Sequence, residues 1–151
     1  MFSTPCKAVT SGGARVANLI EELLQPDFAH CAPSVGGTVV EVQWDGVRLC
    51  DRDTYVRRYP TLAQVFLVEH VACCDVSVFT RRVPDVKQNL RWLDSGGIEP
   101  GFNCVECVRE VMLSAGQRVP RYVMTPDQLF DWCRERGYEQ FELAELGEAP
   151  A

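Results

Sequence analysis

Apolar residues recur along the chain in two rhythms. The stretch Thr38-Val39-Val40-Glu41-Val42-Gln43-Trp44 is dense in β-branched residues and predicts a strand. Gly36-Gly37 ahead of it predicts a two-residue hairpin turn, with a strand entered at His30 and running to Val35 on the other side. Asp45-Gly46 reads as a second turn, and Val47 to Cys50 as the third strand of a meander. Helical spacing appears in four places. Val16, Leu19, Ile20, Leu23 and Leu24 predict a helix over 14–24, stopped by Pro26. Val86, Leu90 and Leu93 predict one behind Pro84. Val105, Val108, Met112 and Leu113 predict a third, capped by Asn103 and ended at Gly116. Thr125-Pro126-Asp127-Gln128 opens a fourth that runs to about Arg136, with Gly137 closing it. A strand around Lys7–Val9, a short helix through Tyr55 and Val56 capped by Asp51 or Asp53 and ended by Tyr59-Pro60, strands at 65–68 and 76–79, and a last strand at Phe141 and Leu143 complete the reading. Strands and helices so mixed predict an α+β domain over 1–146 and a frayed tail over 147–151.

Composition narrows the function. A chain of 151 residues is long enough for one proper core. The net charge of −6, with no basic cluster, argues against nucleic acid as a partner. No apolar run reaches the length of a membrane span. The start, Met1-Phe2-Ser3-Thr4-Pro5-Cys6, lacks a signal-peptide pattern, so a cytoplasmic setting with eight free thiols is expected. Cys73-Cys74 and Cys104-Val105-Glu106-Cys107 invite a cysteine-ligated metal. Adjacent cysteines on a strand point to opposite faces, however, so the expectation is no metal and no cofactor.

The chemistry concentrates at Cys104. Its position in the first turn of a helix exposes the thiol to free N–H groups and the positive end of the helix dipole, which favour thiolate. The bland alternative is a small buried hydrophobe. A thiolate nucleophile needs a base, and the chain has two histidines. The hairpin at Gly36-Gly37 pairs His30 opposite Gln43 and puts Glu41 diagonally on the same face. His70 has no such same-face partner, and His30 is the favoured base.

These residues, in their order, carry a resemblance. Ala17-Asn18-Leu19-Ile20 through Phe28-Ala29-His30, then Gly36-Gly37-Thr38-Val39-Val40-Glu41, Asp45-Gly46-Val47-Arg48-Leu49 and Asn103-Cys104-Val105-Glu106-Cys107-Val108 span residues 14 to 116. The set resembles the circularly permuted, papain-like branch of the NlpC-type cysteine hydrolases, which includes YiiX-like bacterial proteins and the lecithin:retinol acyltransferase group. The resemblance implies a permuted papain-like fold with an antiparallel sheet against a central cysteine helix. It implies Cys104 as nucleophile, His30 as base and Glu41 as the polar third member, with Gln43 as the alternate. Cys107 stands where an aromatic is usual, and Pro33 interrupts the histidine strand. The implied activity is thiol hydrolysis of an amide, in a peptide or a peptidoglycan stem peptide, with a lipid ester as a further substrate class. The implied settings are a bacterial hydrolase or a virion-associated tail-tip module of a tailed phage. The alternative is a non-enzymatic assembly component that docks protein partners through aromatics such as Trp44, Tyr122 and Trp132.

Overall fold

The computed structural model describes residues 2–3, 30–58, 62–68 and 74–142. The expected strand at Lys7–Val9, the helix over 14–24, the end of the helix at Tyr59-Pro60, His70, Cys73 and the tail lie outside the described residues.

Two antiparallel sheets and four α-helices make up the described chain. The first sheet runs in the order β2 (His30–Cys31), β1 (Phe2–Ser3), β6 (Leu62–Leu67), β7 (Glu139–Glu142). The second is a meander of β3 (Ser34–Val35), β4 (Thr38–Gln43) and β5 (Gly46–Asp51). The helices are α1 (Arg52–Arg58), α2 (Val86–Asp94), α3 (Cys104–Ser114) and α4 (Pro126–Glu135). The architecture is mixed, as an α+β reading requires.

The β3–β4 turn is the one the glycines predict. Gly36 and Gly37 take φ of +55° and +82°, the left-handed region that a two-residue hairpin demands. Ser34 pairs with Val39, and the Val40 N–H donates to the Pro33 carbonyl at 3.0 Å. The histidine strand does not continue this ladder. It breaks at Ala32-Pro33, and His30–Cys31 pairs instead with Ser3 and Phe2 of β1. Proline has no N–H to offer a ladder, so the chain leaves one sheet and enters the other there. The expected pairing of His30 opposite Gln43 is thereby corrected.

Other boundaries shift for local reasons. Gln43 pairs with Gly46, so the second turn is Trp44-Asp45 and Gly46 already belongs to β5. Asp51 caps α1, accepting from the Thr54 N–H at 2.8 Å and its hydroxyl at 2.7 Å. The strand expected at 76–79 is a 3-10 helix, Val76–Arg81. The Asp75 carboxylate accepts from the Ser77 N–H at 3.0 Å, a side-chain bond that diverts the backbone from extended pairing. In α2 the cap is Asp85, and Pro84 precedes it. The buried face of α2 is Asn89 and Trp92, whereas Val86 and Leu90 are exposed. Leu113, expected on the buried stripe of α3, is also exposed. In α4 the expected capping box forms, with the Thr125 hydroxyl accepting from the Gln128 N–H and the Gln128 side chain accepting from the Thr125 N–H.

Helix α3 is the piece the two halves share. One side, with Cys104, Val105 and Met112, packs with Cys31, Val123, Leu129, Trp132 and Cys133. The other, with Cys107 and Val111, packs on Val40 and Val42 of β4, Phe79 and Phe102. Fully burying an apolar side chain contributes about 1.5–3 kcal/mol, so both layers hold this helix in place. A third cluster of Ala32, Val39 and Tyr55 lies on the opposite face of β4.

Candidate active site

The approach to Cys104 is fixed before the helix begins. The buried Asn89 amide donates to the Phe102 carbonyl at 2.8 Å, and its oxygen accepts from the Phe102 N–H at 2.8 Å. A side chain thus replaces the strand partner that this extended segment lacks. Trp92 lies flat against the preceding residue. A Cβ on Gly101 would stand 2.6 Å from Trp92 Cβ and Cγ, so close approach, not a turn, calls for glycine there. Arg82 covers the Phe102 ring at 3.7 Å and pairs with Glu110.

Asn103 is the cap, extended at φ −143° and ψ −175°, and its Oδ1 accepts from the Glu106 N–H at 3.0 Å. Cys104 is then the first helical residue. Glu106 accepts from Trp92 Nε1 at 3.1 Å and from Arg109 Nε at 2.9 Å. The Arg109 guanidinium also donates to the carbonyls of Val119, Pro120 and Val123 at 2.6–2.8 Å. The first turn of α3 is therefore tied to α2 on one side and to the loop ahead of α4 on the other.

Strand β2 brings three groups to the sulfur of Cys104. The Cys31 thiol, the His30 imidazole and the Cys31 backbone N–H lie close enough to it to act on its charge. These donors, the Cys31 thiol foremost, and the charge of His30 hold the Cys104 thiol well below its ordinary range, against the opposing effect of burial. Burial pushes the Cys31 thiol well above its ordinary range, and the adjacent Cys104 adds to that. Of the two thiols, the one at Cys104 is thus driven down and the one at Cys31 up. Neighbouring strand residues ordinarily face apart. Here β2 is the outermost of the described strands of its sheet and packs on the helix that Cys104 begins.

Glu41 is completely buried in the middle of β4. It accepts from Gln43 Nε2 at 2.5 Å and from the Arg58 guanidinium of α1. The face of β4 against α3 is Val40 and Val42. Glu41 lies on the other, where Ala32, two residues beyond His30, packs with Val39. Glu41 and Gln43, separate alternatives in the sequence, are thus bonded to each other.

Sequence reasoning passed over Cys31, Asn89 and Trp92. The adjacency of Cys31 to His30 was the available signal for the first. Nothing local marks the other two, whose roles depend on α2 lying against residues 101–103. Of the aromatics considered for docking, Trp132 is buried, Trp44 is half-buried and Tyr122 is exposed. Among the described residues no cluster of metal-ligand type is found, and no helix is long and apolar enough to cross a membrane. No family model, curated protein or solved structure matches the chain.

Proposed function

We propose that the protein is a thiol hydrolase of permuted papain-like type, acting on an amide in a peptide or a peptidoglycan stem peptide. The observation that carries this reading is the placement of β2, with His30 and Cys31, against Cys104 in the first turn of α3, where the Cys31 thiol and the His30 imidazole help to hold the Cys104 thiol low. A cysteine at a capped helix start, paired with an imidazole, is the arrangement that covalent acyl transfer uses. The Cys104 thiolate attacks the carbonyl carbon, and the resulting oxyanion is received by the Cys104 backbone N–H. The carbon–nitrogen bond breaks as His30 gives its proton to the departing amine. His30 then takes a proton from water, which attacks the thioester and releases the acid. Glu41 is proposed as the polar third member from the resemblance; its carboxylate bonds Gln43 and Arg58, and the register expected to set it beside His30 does not form.

The test needs two measurements. Purified protein is incubated with peptidoglycan fragments and a panel of peptide amides, and the acyl-enzyme is trapped by acid quench and weighed. Turnover with an acyl group on Cys104, lost in Cys104→Ala and His30→Ala, is the expected result. A Cys104 that alkylates selectively yet never acylates would instead point to an assembly component that retains the fold for docking, with exposed Tyr122 as the first surface to probe.

A further inference from the structure

Hydrolysis as proposed gives no chemical step to the Cys31 side chain, yet that thiol is 1% exposed and packed in the same core cluster as the nucleophile. We infer that Cys31 and Cys104 form a peroxide-responsive modification site, in which Cys104 is oxidised to a sulfenic acid and Cys31 closes it as a disulfide. The inference stands apart from hydrolysis, because no substrate carbonyl takes part.

Geometry carries it. The two buried thiols lie in one core cluster, one on β2 and the other in the first turn of α3, where the strand packs on the helix. A disulfide needs its sulfurs about 2.05 Å apart, and among the groups acting on the Cys104 sulfur the Cys31 thiol acts most strongly. Cys107, one turn along α3, packs in the opposite layer with Val40 and Phe79, so it faces away from the pair. Cys133 belongs to the same cluster but sits on α4. Cys104 keeps 8% of its surface exposed against 1% for Cys31, so a small neutral oxidant such as hydrogen peroxide meets Cys104 first.

The steps balance. The Cys104 thiolate attacks one peroxide oxygen and the O–O bond breaks. The departing hydroxide takes the proton held by His30 and leaves as water, with Cys104 as sulfenic acid. The Cys31 sulfur then attacks the Cys104 sulfur and the S–O bond breaks. The second hydroxide takes the Cys31 proton and leaves as water. Two thiols are oxidised, one peroxide is reduced and two waters form. The disulfide withdraws the nucleophile from acylation and shields it from irreversible sulfinic acid, and a reducing thiol restores both groups.

The full-length chain is treated with hydrogen peroxide, its remaining thiols are alkylated, and a non-reducing digest is read by mass spectrometry. The expected product is a Cys31–Cys104 linked peptide that dithiothreitol releases. In Cys31→Ala and in the more conservative Cys31→Ser that peptide is lost, and Cys104 is trapped by dimedone and proceeds to sulfinic acid. Wild-type Cys104 passing to sulfinic acid while Cys31 stays open to alkylation overturns the inference. So does a link from Cys104 to Cys107, Cys133, Cys6 or Cys73. A linked peptide in a protein with no turnover supports this site and counts against hydrolysis, whereas turnover with no linked peptide does the reverse.

Discussion

Cys104 and Cys107 sit one turn apart on α3, and both are buried. Their thiols are driven in opposite directions. Cys107 faces Val40, Phe79, Phe102 and Val111, and burial pushes its thiol far above the ordinary range. Cys104 is also desolvated, yet the Cys31 thiol, the His30 ring and the Cys31 N–H overcome that and hold it low. Burial by itself raises a thiol, and only aimed donors reverse the sign. Reactivity here belongs to the place where β2 meets the helix start, not to cysteine as a residue type or to α3 as a whole.

The strongest way to break this contrast is to measure it. Iodoacetamide at pH 7 should modify Cys104 at least about 100-fold faster than Cys107, since thiolate is the reacting form. The difference should vanish in denaturant. Comparable rates in the native protein would mean that the donors around Cys104 do not act as described.

Removing His30 sharpens the cause. His30→Ala should slow Cys104 alkylation at pH 7 by about tenfold, as follows when the midpoint rises to about one unit above that pH. The sign follows from the thiolate. In the wild type the Cys104 titration midpoint is held low. Losing a donor and a positive charge raises the midpoint, so the rate falls at neutral pH and rejoins the wild type in alkali. A uniform loss at every pH would indicate altered access instead.

The cap tests whether the helix start contributes as well as the strand. Asn103→Ala removes the acceptor for the Glu106 N–H and should cost about 1 kcal/mol of stability in urea titration. An unchanged urea midpoint would show that the cap bond to Glu106 adds no net stability to α3.

The smallest effects are expected behind the histidine. Glu41→Gln should raise the midpoint of Cys104 alkylation and slow it about threefold at pH 7, and Gln43→Ala, one bond further away, should do less. The reverse order would make Gln43 the orienting group. No change in either would leave Glu41 as a purely structural partner of Arg58.

Much of the local structure was legible. Gly36-Gly37 specifies its turn because two consecutive positive φ values suit glycine. Asn103 and Thr125 specify helix starts because their side chains bond backbone N–H groups three residues on. The strand expected at 76–79 failed because Asp75 offers a competing local bond that apolar periodicity does not register. The face of α2 failed because Asn89 is buried by a backbone partner thirteen residues away, and hydrophobic pattern discounts a polar residue.

The sequence by itself determined that α3 begins at a capped asparagine with a cysteine next, and that a glycine hairpin follows His30. Both are consequences of bonds closed within a few residues. Only the tertiary structure decided what meets the sulfur. Pro33 detaches His30 and Cys31 from the hairpin ladder, and pairing with β1 sets them beside α3. Whether a thiol is raised or lowered depends on that encounter, because donor geometry and desolvation arise from residues far apart in the chain.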